Sequence, residues 1–458
     1  MIGKRRKNLR ASALIIVMIM TLGLVAVILI FVHSVRLEYR AAGNSQAALE
    51  ADQAIQGMER YVSWILTDIV TPGEMPDGEE YDFTAMQAGD ATIWLIGRDD
   101  DESAESPVFG LVDEASKLNL NTASLEMLQA LPNMDADVAA AIVDWRDTDS
   151  ELTEGGAEAQ DYLLLDPAYN CKDGPFETVE ELRLVMGVDI ERLYGEDTNR
   201  NGILDPNEDD GDLSKPADNQ DGKLDCGLLE YVTIYTREPN TNTDGEKRVN
   251  ITDEDSRQQL RERLEEKLDS SRVGEILSRA GNTEEMKSVL EFYLRGDMKL
   301  EECAQLDAEL SVSDDAFLPG LVNINTASRD VLAALPGIGE ANADNVVAWR
   351  ENRTDSELAT VRWLAEVIDR DAAIEAGPWI TTRSYQFMAD IAACGSNGKG
   401  FRRSQFIFDC AEMQADDSED DSESARPLVV FRGEVSRLGW PLGLEIRNDL
   451  AQAITEGE

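Results

Sequence analysis

One thirty-residue text occurs twice in this chain, and that duplication narrows the possible folds more than any other feature. Residues 118–147 read LNLNTASLEMLQALPNMDADVAAAIVDWRD, and residues 322–351 read VNINTASRDVLAALPGIGEANADNVVAWRE. Thirteen of the thirty aligned positions are identical without a gap, among them Asn119/Asn323, Asn121/Asn325, Thr122/Thr326, Pro132/Pro336 and Trp145/Trp349. Chance pairing of two amphipathic helices would rarely align such residue types. A second shared segment, ETVEELRLV at 177–185 and ATVRWLAEV at 359–367, follows each copy. The chain therefore carries an internal repeat of a helical module, and its architecture has to hold two copies of one unit.

Each copy resembles a helix-hairpin-helix. The Thr-Ala-Ser stretch starts a helix, where hydroxyls satisfy orphan N–H groups; Pro132 or Pro336 punctuates its end, and a second amphipathic helix runs into Trp-Arg. Such modules often bind nucleic acid by presenting the backbone of a Gly-x-Gly hairpin to a phosphate, which requires close approach and no adjacent negative charge. The second copy keeps Gly337 and Gly339, but the first has Asn133 and Asp135, which tolerate left-handed geometry while adding side chains and a charge. Glu340 and Asp344 crowd the intact hairpin. Both copies therefore read as packing units, not as a DNA site.

The charge agrees. Forty-two basic residues stand against 91 acidic ones, a formal charge of -49. Phosphate neutralisation supplies much of any nucleic-acid affinity, so no nucleic acid is expected as a partner. The acidity suits solubility and the loading of divalent cations, and is equally compatible with a surface adapted to salty surroundings. At 458 residues there is material for two or three domains, each able to bury its own core. The five cysteines, at 171, 226, 303, 394 and 410, show no metal-ligand spacing. Cys171 and Cys226 bracket an irregular segment and are candidates for a disulfide in an oxidising compartment.

The N-terminus begins MIGKRRKNLRA, followed by an apolar run over 13–32 without a charge. At about 1.5 Å per residue that run is about 30 Å long and crosses a hydrocarbon core. Lys4, Arg5, Arg6, Lys7 and Arg10 hold the N-terminus in the cytoplasm and leave the bulk of the chain outside it. His33, Arg36, Glu38 and Arg40 make a poor signal-peptidase region, so the run is expected to remain as an anchor. The helix is expected to continue, with Ala48, Ala51, Ile55, Met58, Val62 and Ile65 forming one apolar stripe until Thr71-Pro72-Gly73 stops it. Strand-like segments at 91–96 and 108–112 would form a sheet against this spine.

At this point the chain resembles the protein K family of type II secretion systems, the large minor pseudopilins. The residues that carry the resemblance are the basic leader with its apolar helix, GLVDEASKLNLNTA at 110–123, DWRD at 144–147 and FETVEELRLVMGV at 176–188. The resemblance implies an α+β pseudopilin fold, a long N-terminal helix packed on an antiparallel sheet, with a large inserted α-helical domain containing two helix-hairpin-helix-like repeats. The corresponding division is a leader at 1–11, a transmembrane and spine helix at 12–70, first sheet strands at 71–113, an inserted domain at 114–380, and returning strands with a tail at 381–458. It also implies that a prepilin peptidase cuts between Ala11 and Ser12 and methylates the new N-terminus, although family members usually carry Gly where this chain has Ala11. Ile16 then stands at the fifth mature position, where the major pseudopilin carries a glutamate and protein K lacks it. A subunit without that carboxylate cannot pair with the N-terminal amine of a neighbour, which fits the fibre tip. The assembly helix starts with Leu14, Ile15 and Ile16.

Between the repeats, DTNRNGILDPNE at 197–208 matches an EF-hand loop position by position. Oxygen ligands fall at Asp197, Asn199, Asn201, the Ile203 carbonyl and Asp205, with Glu208 at the twelfth place; Gly202 permits the turn and Leu204 supplies the apolar contact. Such a set suits calcium in a structural role, and the resemblance implies calcium as well. DNQDGKLD at 218–225 is a poorer second candidate with Asp218, Asp221 and Asp225, because its frame leaves Ala217 and Leu228 at the end positions.

Further along, 228–236 (LLEYVTIYT) alternates as a strand, RVNIT at 248–252 faintly echoes the repeat opening, 385–394 and 401–410 flank GSNGKG as a hairpin, 427–435 reads as a strand, and the acidic run 416–423 reads as a loop. The only histidine, His33, lies at the membrane boundary, so serine and cysteine nucleophiles lack a histidine partner in the outer domain. The expectation is a non-catalytic inner-membrane protein with a periplasmic head: the tip subunit of a pseudopilus, nucleating the fibre that exports folded proteins across the outer membrane. Its partners would be the other minor pseudopilins, the major pseudopilin and the prepilin peptidase. The alternatives are a membrane-tethered DNA receptor of a competence system and a minor pilin of a type IV pilus.

Overall fold

The structure, a computed structural model, describes residues 8–69, 73–76, 81, 83–98, 104, 106–351, 353–414 and 426–456. Helix α1 runs Asn8–Trp64 and closes in a π-helical turn at Ile65–Ile69. The basic residues Lys4–Lys7 lie outside the described residues; Ala11 and Ser12 fall in the first turns of α1, where only the backbone is described. The apolar first half of α1 is exposed throughout, Leu14, Ile15 and Ile16 included. The second half buries Ala47, Ala51, Ala54, Ile55, Met58, Val62, Ile65 and Leu66, a three-and-four spacing that faces the sheet. Each of the larger side chains, Ile55, Met58, Val62, Ile65 and Leu66, stabilises the packing by roughly 1.5–3 kcal/mol. Ala47 takes the buried place expected of Ala48, because a hairpin presses on it: a Cβ on Gly395 would stand 2.0 Å from the Ala47 carbonyl oxygen.

The sheet contains β1 (Met86–Ala88), β2 (Ala91–Ile96), β3 (Val112–Asp113), β4 (Gln386–Gly395), β5 (Lys399–Gln414) and β6 (Arg426–Glu434). Its order is β1-β2-β4-β5-β6, every pair antiparallel, with β3 also on β4. Strand β4 is buried along its whole length: Phe387, Ala389, Ile391 and Ala393 meet α1, while Ala392 and Cys394 meet Trp94, Ile96 and Leu442 on the other face. The expected strand at 108–112 is reduced to Val112–Asp113, with Phe109 bridging Ile96 before it. Helix Gly443–Glu456 follows β6, its Ile446 and Leu450 covering that second face.

Strands β2 and β4 are neighbours although nearly three hundred residues separate them, so the helical domain is an insertion between adjacent strands. Inside it the duplication becomes a triplication. In the first unit Leu118–Asn119 pairs in parallel with Val232–Thr233, and in the last Val322–Asn323 pairs with Ile380–Thr381. Between them Val249–Asn250 pairs with Leu310–Ser311 in the same way. In all three the next residue's N–H donates to the partner strand, Leu120 to Thr233, Ile251 to Ser311 and Ile324 to Thr381. The Asn carboxamide oxygen accepts from the N–H two residues on, at Asn121, Thr252 and Asn325. Its nitrogen donates to the side chain three positions past the partner strand, at Thr236, Asp314 and Ser384. The faint echo at 248–252 is thus a third, degenerate copy.

Two expectations fail here. Residues 228–231 form a helical turn, not a strand, because Gly227 caps it and Leu228 and Tyr231 are buried at helical spacing; only Val232–Thr233 is extended. None of the five cysteines forms a disulfide. Cys171 is buried in the core of the first unit, its thiol donating to the Asp144 carbonyl, whereas Cys226 sits on a bridge to Gly195.

Candidate functional site

The repeat's signature residues are used internally. In the first unit Asn121 clamps the segment that follows, donating to the Phe176 carbonyl and accepting from its N–H, at 3.1 and 2.8 Å. In the last unit Asn325 donates to the Leu358 carbonyl and accepts from the Trp363 indole. The arginine of each Trp-Arg returns to the start of its unit: Arg146 donates to the carbonyls of Leu120 and Ala123, and Arg350 to that of Ile324. Trp363 stacks on Trp349, with ring centroids 4.8 Å apart. The Asn-x-Asn-Thr-Ala motif is therefore a closure device.

The hairpins offer little to a phosphate. Gly337 has φ +80°, and a Cβ there would meet the Ala372 carbonyl oxygen at 2.1 Å, so the glycine serves helix packing. Asn133 takes the equivalent left-handed conformation at φ +57°, whereas Asp135 is extended and pairs with Arg192 at 2.7 Å. Arg329, the cation beside the intact hairpin, is held by Asp330, Glu340 and Asp344.

The loop 197–208 is the most organised polar feature. Asp197 accepts from the N–H groups of Asn201 and Gly202, Asn201 from Ile203, and Asp205 receives the carboxamides of Asn199 and Asn201. Glu208 accepts from Thr198 through one oxygen and from the Asp205 N–H through the other. Gly202 has φ +72°, as the turn requires. Asp197, Asn199, Asn201, Ile203 and Glu208 are all buried. Burial and the neighbouring Asp197 push the Glu208 carboxyl up to about 8, and burial also raises Asp197 and Asp205. The Asn199 Oδ1 is buried without a hydrogen-bond partner. Carboxylates held against their own repulsion, beside an unused oxygen, fit a hard cation.

The loop is also docked. Arg403 on β5 makes a two-bond pair with Asp390 on β4, both fully buried, and donates to the carbonyls of Asn199 and Arg200. Arg98 donates to the Arg200 carbonyl and pairs with Glu230. From the far side, the carboxamides of Asn199 and Asn201 reach the carbonyls of Trp440 and Pro441. The loop thus joins the inserted domain, the sheet and the turn that leads into helix Gly443–Glu456.

In the second acidic loop the candidate residues separate. Asp218 accepts from the N–H groups of Asp210, Gly211 and Gln220. Asp221 accepts from Lys223 and Asp225 from the Asn219 carboxamide, as Asn201 and Asp205 do in the first loop. Asp209 accepts from Gly222, and Glu196 from Asp225, the bonds made by Asp197 and Glu208 in the first loop. Two residues remote from the segment therefore stand at its end positions. Sequence frame counting missed them because they precede the loop; a surplus of carboxylates on either side of 197–208 was the only signal.

Comparison with known proteins matches two segments to family models: residues 111–194 to "Type II secretion system (T2SS), protein K", and 320–366 to a helix-hairpin-helix motif. A curated relative, type II secretion system protein K of Klebsiella pneumoniae, is 34% identical over 114 residues, which is 25% of this chain and 32% of the relative. The alignment thus spans about a third of that relative's length. The crystal structure of the GspK-GspI-GspJ complex from the enterotoxigenic Escherichia coli type 2 secretion system aligns over 87% of this chain and 99% of the other, with 12% identity and a TM-score of 0.41.

Proposed function

We propose that this chain, whose residues 111–194 match the protein K model of the type II secretion system, is a protein K-like minor pseudopilin that serves at the tip of a pseudopilus and nucleates its assembly. The observation that carries this reading is the division of α1: its first half, from Leu14 onward, presents apolar side chains with no protein cover, while its second half is fastened to the sheet. Such a helix is held by the inner membrane before assembly and by the helices of the other minor pseudopilins and the major pseudopilin after it. The N-terminus lies in the cytoplasm and the head in the periplasm. A prepilin peptidase cuts between Ala11 and Ser12, and Ile16 at the fifth mature position leaves no carboxylate to pair with a subunit above.

The inserted domain caps the assembly as scaffold. Calcium at Asp197, Asn199, Asn201, the Ile203 carbonyl, Asp205 and Glu208 neutralises the loop that joins it to the sheet, and Asp221 and Asp225 belong to a second such loop. In this role the ion is structural and performs no chemistry.

Leu49 is exposed on α1 beyond the membrane run. Leu49→Arg is expected to abolish co-purification with the other minor pseudopilins and to stop exoprotein secretion, while the melting temperature stays unchanged. Retained co-purification and secretion would overturn the proposal. Salt-dependent retardation of DNA by the full-length protein would favour the receptor reading instead.

A further inference from the structure

A separate acidic centre lies in the first repeat, where the helix Ala136–Arg146 ends. Carboxylate oxygens of Asp147, Asp149 and Glu158 lie within 4.8 Å of one another. Asp144, fully buried, stands behind them: its Oδ1 accepts from the Thr153 N–H, and a Cβ on Gly156 would come within 2.0 Å of its Oδ2. The glycine lets the chain fold back over the carboxylate. Three oxygens here are buried without a hydrogen-bond partner: Asp144 Oδ2, Asp147 Oδ1 and Glu158 Oε1. Asp144 and Glu158 are both more than nine-tenths buried.

Among the described residues no salt bridge to these carboxylates is formed, and Arg146 acts on Asp147 only without direct contact. Arg146 spends its guanidinium on backbone carbonyls, and Lys172 pairs with Glu181 at 2.7 Å and Glu177 at 3.8 Å. The other copy of the repeat shows the contrast. At the position equivalent to Asp149 it has Arg353, whose guanidinium lies over Trp349 and pairs with Glu357; at that of Asp144 it has Ala348. The last unit carries its own cation where the first carries only carboxylates. Buried carboxylate oxygens without donors are compensated by protons or by metal, and a set made only of oxygens selects a hard ion.

We propose that Asp147, Asp149 and Glu158, backed by Asp144, bind one divalent cation of the calcium class, at a site distinct from the 197–208 loop. Cys171 lies within 4.8 Å of Glu158 and Asp173, but its thiol is engaged with the Asp144 carbonyl, so the ligand set is made of carboxylates. The ion fixes the return of the 147–158 loop onto the repeat. This does not depend on calcium occupying the 197–208 loop.

The test is calcium binding to chelator-stripped full-length protein in detergent, measured by equilibrium dialysis in a Glu208→Gln background that disables the first loop. That variant is expected to retain calcium at this centre, and Glu208→Gln/Glu158→Gln to bind one ion fewer. Glutamine keeps the acceptor with which Glu158 caps the following turn. Asp149→Asn, at an exposed position, is expected to weaken the same ion at least tenfold and serves if the Glu158 variant misfolds. Terbium alone provides a second readout, because Trp145 adjoins the site: sensitised emission should survive Glu208→Gln and fall with Trp145→Phe. An unchanged ion count in the Glu158 and Asp149 variants would overturn the proposal.

Discussion

Replacing Glu208 by glutamine should make the metal-free protein more stable at neutral pH and less responsive to calcium. The carboxyl is buried beside Asp197, and its ordinary value of 4.5 is pushed up to about 8. Between those values the folded state holds a proton that the unfolded state has released, so the stability of the metal-free protein falls as pH rises through this window. At about 1.4 kcal/mol per tenfold, the cost at pH 7 is roughly 3 kcal/mol. Glutamine removes that cost, keeps the acceptor for Thr198, and loses the bond from the Asp205 N–H, worth about 1 kcal/mol. The net expectation is a gain of about 2 kcal/mol in EGTA at pH 7 and none at pH 4.5. Calcium at a hundredfold excess over its dissociation constant should add about 2.7 kcal/mol to the wild type through this loop and little through it to the variant. Urea denaturation of the full-length protein in detergent, followed by tryptophan fluorescence across that pH range with EGTA or calcium, reads all of this. A variant less stable than wild type in EGTA at pH 7, or a wild type without the downward slope, would refute the reasoning.

The triplicated closure predicts that Asn119→Ala, Asn250→Ala and Asn323→Ala each destabilise by about 1–3 kcal/mol in urea melts, since each strands a backbone N–H and a polar side chain; a neutral Asn250 variant would remove the third unit. Arg403→Met leaves Asp390 buried with only Arg98 at 3.8 Å and the Gln405 carboxamide, and frees two loop carbonyls, so a loss of about 3 kcal/mol and a weaker calcium response are expected in the same assay. N-terminal sequencing of the mature membrane protein should begin at Ser12, and a start at Met1 would remove the processing step.

Periodicity made α1, the β4–β5 hairpin and the repeats legible, because each buries a face whose spacing is written in consecutive residues. The turn at 228–231 was misread because LLEYVTIYT fits both periods, and its choice was made by what Leu228 and Tyr231 pack against. The loop 197–208 was legible because its oxygens follow one another in sequence. The carboxylates of Asp209 and Glu196 at the second loop, and the Asp144–Glu158 centre, were not, because their members approach only after the chain doubles back.

The sequence by itself determined the long apolar N-terminal helix, the spine, the presence of repeated helical units and the acidic character that disfavours a polyanion. Only the tertiary structure decided that the repeats number three, that their asparagines close them, and that one loop joins the inserted domain to the sheet through Arg403 and Arg98. Local patterns record which face of an element is apolar, whereas a hydrogen bond between residues two hundred positions apart leaves no periodic trace. The duplicated text first suggested a binding module; the donors and acceptors that define it are spent within the fold.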